Sequence, residues 1–345
     1  MILNFGAGPS MLPNCVLEQL QTALYDWEGS GYSILSQPFR NAKVEDIINE
    51  ASHLMLELCG LSALNYDVVF MQGGARMQFA MLPLNYHDDT LSSLYYNAGY
   101  WPNVALAEAL RVSNKVATTT LLENVVALSY QKKYLHITTN NTIEGTQLSE
   151  DIAALCPLVA DMSSDILAVN RDFAKYSLFY ACAQKQLGAA GNTVVVIAKK
   201  FEPTPLNNTP EMLLYTSFIK SNSLYTTPNL LSVFTTLLLL RWAKAQGGIA
   251  VLSKNTQHKA AMLYEFLDEQ PHFRMIAHPS ERSVCNITFK AIDDNVHQKV
   301  LALCTKYSIK GIEGHRSSGG FRVSNYNAIT TEMIRTLIDV MSKIK

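Results

Sequence analysis

The amino-acid sequence predicts an α/β architecture with a mostly parallel sheet in a large domain, followed by a smaller α+β C-terminal domain. Three observations carry this. Short β-rich apolar runs alternate with helical patterns through the first two thirds of the chain, the order that lays helices over a parallel sheet. One run, Val194-Val195-Val196-Ile197-Ala198, is continuous rather than alternating, as in a strand buried on both faces. Around Gly247-Gly248 the rhythm changes, and long helices then outweigh strands.

Each element follows from its own pattern. Val44, Ile47, Ile48, Ala51, Leu54, Met55 and Leu58 recur at helical spacing, and Gly60 offers a stop. Val68 to Met71 reads as a strand running into Gly73-Gly74. Ser93 to Tyr96, Leu135 to Ile137, Leu158 to Ala160 and Ser177 to Tyr180 read as further strands. Leu230 to Trp242 is the most apolar run, and Ser232, Thr235 and Thr236 interrupt it. It falls short of the ~20 residues that span a bilayer, so a helix buried in a large core is expected. Beyond Gly248 come a long helical pattern, a strand from Val284 to Phe289, a helix near Val296 to Thr305, a strand from Gly320 to Ser324 and a closing helix from Thr331. We expect an N-terminal segment over 1–12, a large domain over 13–248 and a small domain over 249–345.

Composition narrows the function classes. The chain has 345 residues, 48% of them hydrophobic and 17% charged, which is ordinary globular material for one large domain and one smaller. A net charge of −1 gives no global bias toward nucleic acid or an acidic membrane. The six cysteines never fall in a metal-ligand spacing, so buried reduced thiols, a cytoplasmic setting and no metal are expected. The first residues lack a charged stretch followed by a long apolar one, so no secretory signal is read there.

Five stretches could carry chemistry. Lys185 follows a buried-type strand and precedes the small-residue turn Gly188-Ala189-Ala190-Gly191. Partial burial would free its amine to attack a carbonyl, while a solvated surface lysine is the plain alternative. Asp161 ends an apolar strand, where open α/β sheets bind ligands, and could hold a ring nitrogen protonated. Before Ser163-Ser164 it could equally cap a helix. Gln72-Gly73-Gly74-Ala75-Arg76 suits either a helix N-terminal anion site or a tight turn. Trp101, in Asn97-Ala98-Gly99-Tyr100-Trp101, could stack on a planar ring or pack in the core. His315, Arg316 and Arg322 lie in a glycine-rich stretch suited to carboxylate or phosphate, and Arg322 sits within a strand pattern.

The order of these motifs resembles the phosphoserine aminotransferase family, class V aminotransferases of pyridoxal phosphate fold type I, from end to end. The series runs from Asn4-Phe5-Gly6-Ala7-Gly8-Pro9 through Gly73 to Arg76, Ala98 to Trp101, Asn141-Thr142-Ile143-Glu144-Gly145, Ala160 to Ser164, Ala183-Gln184-Lys185 and Gly314 to Arg322, and closes on Ser324-Asn325-Tyr326-Asn327-Ala328. The resemblance implies pyridoxal 5′-phosphate carried by Lys185 as a Schiff base, with Lys185 also shuttling the proton. Asp161 is implied on the ring nitrogen, Trp101 on the ring face, and Thr142 as a hydrogen-bond partner of the cofactor. Ala75, Arg76 and Gln184 are implied at the phosphate, with Thr226 and Thr227 reaching it from the other subunit of a homodimer with shared active sites. Arg322 is implied at the substrate α-carboxylate, and Arg40, His315 and Arg316 at the distal anion.

The implied reaction exchanges an amino group between L-phosphoserine and 2-oxoglutarate, giving glutamate, in serine biosynthesis. The family type also serves pyridoxine biosynthesis. No nucleic-acid or membrane partner is implied. The sequence departs from the pattern at Pro38-Phe39-Arg40, where Ser-His-Arg is usual, and at Gly6, Ala75, Glu144 and Thr226. These departures bear on substrate choice. Two alternatives stay open here: a class V enzyme for an unphosphorylated substrate, and a weakly catalytic relative retained for binding or regulation.

Overall fold

A computed structural model describes residues 2–344. Its central sheet has seven strands, in the spatial order Tyr66–Gln72, Asn192–Ala198, Tyr176–Cys182, Leu158–Asp161, Leu135–Thr138, Ser93–Tyr96 and Val116–Thr119. Asn192–Ala198 runs antiparallel to both of its neighbours, and every other pair is parallel. Six strands therefore point the same way. Their carboxyl ends bring Gln72, Tyr96, Thr138, Asp161 and Cys182 to one edge, where such sheets bind ligands.

Local chemistry sets the flanking helices. Asn41 caps the helix Ala42–Leu58 by accepting from the Val44 N–H at 3.0 Å. At its other end Gly60 takes φ +66°, and the Leu61 and Gly60 N–H groups reach the carbonyls of Leu56 and Glu57 at 2.8 and 3.1 Å. That double closure satisfies carbonyls the helix cannot. The helix packs on Leu230–Ala245, the expected buried helix, whose residues are apolar nearly all round. Among the described residues no helix is long and apolar enough to cross a membrane.

A second apolar cluster surrounds a three-stranded antiparallel sheet, Phe273–Met275, Asn286–Ala291 and Phe321–Ser324, with the helices Asp294–Lys306 and Thr331–Met341. Phe5 belongs to this cluster, and Leu3–Asn4 pairs in parallel with Ile309–Lys310. The chain start is thus built into the C-terminal part, a pairing no local pattern announces. Helix Gly248–Glu269 joins the two cores: Ile249 and Leu252 face one, Leu263 and Leu267 the other.

One expectation needs correction. The thiols are all free, but Cys15 is exposed and Cys156 half-buried, so burial is not general. Cys15 stands on the solvent side of helix Asn14–Tyr25, whose buried residues are Val16 and Ala23.

Candidate active site

Asp161 is the last residue of its strand and is 5% exposed. Its Oδ1 accepts from the Ser163 N–H at 2.9 Å, and a turn follows rather than a helix. The cap alternative therefore falls, and the aspartate instead folds the chain back on itself. Burial pushes its carboxyl above the usual range, opposed by the nearby Lys185 charge and by hydrogen bonding from Ser163. Ser163 Oγ accepts from the Cys182 N–H at 3.2 Å, which leaves its own proton for Asp161.

Lys185 sits in the short helical turn Ala183–Gln186, directly after the strand that ends at Cys182. The N-terminal motif clamps this turn. Ser10 N–H donates to the Gln184 carbonyl at 2.9 Å, and Ser10 Oγ donates to the Lys185 carbonyl. Gly8 lies so close, at φ +142°, that a Cβ on it would stand 3.4 Å from Lys185 Cγ. The Tyr326 hydroxyl holds the Ala7 carbonyl at 3.0 Å, and Asn327 N–H donates to Gln186 Oε1 at 3.1 Å. Lys185 Nζ has no carboxylate at ion-pair distance among the described residues and stands 5.7 Å from the Trp101 ring centre.

Trp101 opens the helix Tyr100–Val112, and Glu144 Oε1 caps that helix by accepting from the Tyr100 N–H at 2.8 Å. Trp101 Nε1 donates to Thr142 Oγ1 at 3.1 Å. Arg322 Nη1 donates to the Thr142 carbonyl at 3.0 Å. Thr288, the register neighbour of Arg322, donates to the Glu144 carbonyl at 3.0 Å. The loop Thr142 to Glu144 thus ties the Trp101 helix to the small sheet. The capping role of Glu144 and the clamp by Ser10 escape sequence reasoning, because both partners are remote along the chain.

Arg76 lies in the first turn of helix Ala75–Asn85, its guanidinium 5.6 Å from the Trp101 ring centre. Gly74 at the N-cap has no side chain to cap that helix, and the Ala75 N–H lies against the Cys182 thiol, a weak acceptor that an anion would outcompete. Gly73, at φ +102°, makes the tight turn into it.

The remaining predicted residues are less convergent within one chain. The His315 ring lies 5.6 Å from the Tyr100 ring, and Tyr100 in turn is 5.2 Å from Trp101. Arg316 is exposed beside it. Gln184 is half-buried next to Gly8. Gln72 Nε2 donates to the Thr227 carbonyl, which sets Thr226 and Thr227 near the Gly73 turn of their own chain. Arg40 is exposed, with its guanidinium 5.0 Å over the Phe39 ring, and no contact links it to His315 or Arg316.

These residues fit pyridoxal phosphate. A buried carboxylate raised by desolvation lacks a cationic partner of its own beyond the lysine amine, as a pyridinium site requires. A helix N-terminus without a side-chain cap from its own N-cap residue suits a phosphate. Arg322 is half-buried, its Nε unpartnered, and burial pulls its guanidinium pKa down.

Known proteins resemble this chain over its whole length. Residues 2–337 match the Aminotransferase class-V family. A phosphoserine aminotransferase of Bacillus cereus is 39% identical, aligned over 100% of this chain and 98% of that protein. One from Flavobacterium johnsoniae is 38% identical over 99% and 98%. The solved phosphoserine aminotransferase of Bacillus circulans subsp. alkalophilus superposes with a TM-score of 0.93 at 34% identity, covering 100% of this chain and 98% of that one. A pyridoxal phosphate-bound phosphoserine aminotransferase from Trichomonas vaginalis gives 0.93 at 27% identity, over 99% and 100%.

Proposed function

The chain belongs to the class-V aminotransferase family, and from that premise we propose that it exchanges an amino group between L-phosphoserine and 2-oxoglutarate through pyridoxal 5′-phosphate. In the biosynthetic direction it consumes phosphohydroxypyruvate and glutamate, a step of serine biosynthesis.

The observation that carries the reading is Arg322: a half-buried guanidinium without a carboxylate partner among the described residues, fixed by Thr142 beside Trp101. A guanidinium so placed binds a substrate carboxylate through its fork. The cofactor, when bound, supplies the carbonyl that takes up the amino group and the ring that accepts the electron pair left on Cα. In our reading Asp161 keeps the ring nitrogen protonated. Lys185 Nζ holds the cofactor and then moves the proton at the substrate Cα, for which it stands free of any ion pair among the described residues. Trp101 covers the ring face, and the Thr142 hydroxyl, which accepts from Trp101, has its own proton left to donate. The N–H groups of Ala75 and Arg76, with Gln184, receive the phosphate.

Arg40, His315 and Arg316 form the distal anion site in a cytoplasmic homodimer, with Arg40, Thr226 and Thr227 acting across the subunit boundary. The isolated position of Arg40 within its own chain supports that assignment.

Two variants test the reading. Lys185→Ala abolishes turnover and keeps the fold, because Lys185 is half-buried and outside both cores. Arg316→Ala lowers kcat/KM for phosphoserine by about tenfold or more, from the roughly 1.5–3 kcal/mol of a charge-assisted hydrogen bond, and spares alanine. Equal handling of phosphoserine and alanine by the wild type would remove the distal anion site from the account.

A further inference from the structure

We propose that Tyr100 is a specificity-positioning residue, whose ring sets His315 over the distal end of the substrate. This rests on the distal role given to His315 above. The loop Gly314 to Gly320 is held mainly within itself. Gly314 N–H donates to the Gly320 carbonyl at 2.8 Å, and the N–H groups of Ser318 and Gly319 reach the His315 carbonyl at 3.0 and 2.8 Å. His315 Nδ1 pairs with Ser317 Oγ at 2.7 Å. These bonds shape the loop but do not fix where its tip stands over the large sheet.

The contact that does so is aromatic. The His315 and Tyr100 rings lie 5.6 Å apart at 51°. Tyr100 is itself immobilised twice. Its backbone N–H is bound by Glu144 at 2.8 Å, and its ring meets Trp101 edge-on at 5.2 Å and 89°. A fixed line therefore runs from Trp101 through Tyr100 to His315. With Nδ1 engaged by Ser317, Nε2 makes no hydrogen bond among the described residues and is the nitrogen left for an anion. The side chain of Tyr100 is 37% exposed, so shortening it opens no core cavity.

The test is steady-state kinetics of the holoenzyme with phosphoserine and with alanine, for the wild type, Tyr100→Leu, Tyr100→Phe, His315→Ala and the Tyr100→Leu/His315→Ala double variant. Loss of one aromatic pair is expected to raise KM for phosphoserine about three- to tenfold in Tyr100→Leu. Its kcat, its KM for alanine and the visible cofactor band stay as in the wild type. Tyr100→Phe retains the wild-type KM, and the double variant is no worse than His315→Ala alone, because both changes remove one contact. The proposal is overturned if Tyr100→Phe loses as much as Tyr100→Leu, if alanine is affected equally, or if the double variant shows the sum of the single losses. A wild type that does not prefer phosphoserine removes the function reading instead, whereas a phosphoserine KM left unchanged by Tyr100→Leu removes only this one.

Discussion

Thr142 and Arg322 are joined by a 3.0 Å hydrogen bond from the guanidinium to the threonine carbonyl, across 180 residues of sequence. The same threonine accepts from Trp101 through its hydroxyl at 3.1 Å. One residue therefore positions both Trp101, proposed to stack on the ring, and Arg322, proposed to bind the carboxylate, the first through its side chain and the second through its backbone.

That division is testable. Thr142→Val removes the hydroxyl and keeps the carbonyl. Trp101 Nε1 then lacks its partner, at a cost of roughly 1–3 kcal/mol for an unsatisfied donor. We expect the dissociation constant for pyridoxal phosphate to rise about fivefold or more, while the substrate KM at saturating cofactor stays within about twofold of the wild type. Fluorescence titration and initial rates check the two halves.

Asp161→Asn should move activity and stability in opposite directions. Burial is the main cause that raises the Asp161 pKa in the folded chain, so the folded state binds more protons than the unfolded one in the window between its ordinary and raised values. Its contribution therefore falls as pH rises through that window, and above it the buried charge is a standing cost. With the cofactor removed, Asp161→Asn should melt at or above the wild-type temperature at pH 7, and the difference should vanish in acid. With the cofactor present, turnover should collapse. Melting curves against pH and a turnover assay test both statements.

Lys259 predicts an alkaline effect. It is 3% exposed, and its Nζ donates to the carbonyls of Tyr326 and Ile329 at 3.1 and 2.6 Å. Burial pulls its pKa down to about 8. Since the unfolded value is about 10.4, the unfolded chain binds the extra proton between these limits, and stability rises with pH across them. Lys259→Met leaves two buried carbonyls without a donor, each costing on the order of 1–3 kcal/mol, so Tm falls. Its deficit against the wild type should widen from pH 8 to pH 10. A constant deficit would mean that Lys259 keeps its ordinary pKa.

Dimerisation should control cofactor retention. Thr226 and Thr227 lie on a partly exposed loop, beside Tyr225 and near the turn into the helix that bears Met77, and those two apolar side chains are 37% and 40% exposed. In a dilution series by sedimentation, loss of dimer and loss of pyridoxal phosphate should occur together. A monomer that is fully active at assay concentration would contradict this.

Much of the candidate site was legible because its residues stand at or just beyond strand ends. Asp161 ends one apolar strand and Lys185 follows three residues after the end of the next, and both strands are local enough to read from sequence. The edge strand Val116–Thr119 was not, since its residues are half-exposed threonines and small side chains with no apolar run. Nor was the pairing of Leu3–Asn4 with Ile309–Lys310, which depends on contacts between chain ends. The roles of Glu144, Ser10 and Tyr100 were hidden for the same reason. Each acts on a partner brought close by the fold, and Glu144 and Ser10 do so through a backbone group that any residue carries.

The most direct test of the account is a half-reaction. The purified holoenzyme is mixed with L-phosphoserine, without a keto acid, and the visible cofactor band is followed. The account predicts that the band decays to the aminated form of the cofactor, that added 2-oxoglutarate restores it, and that L-alanine at the same concentration leaves it nearly unchanged. A band that persists with phosphoserine, or decays as readily with alanine, would contradict it.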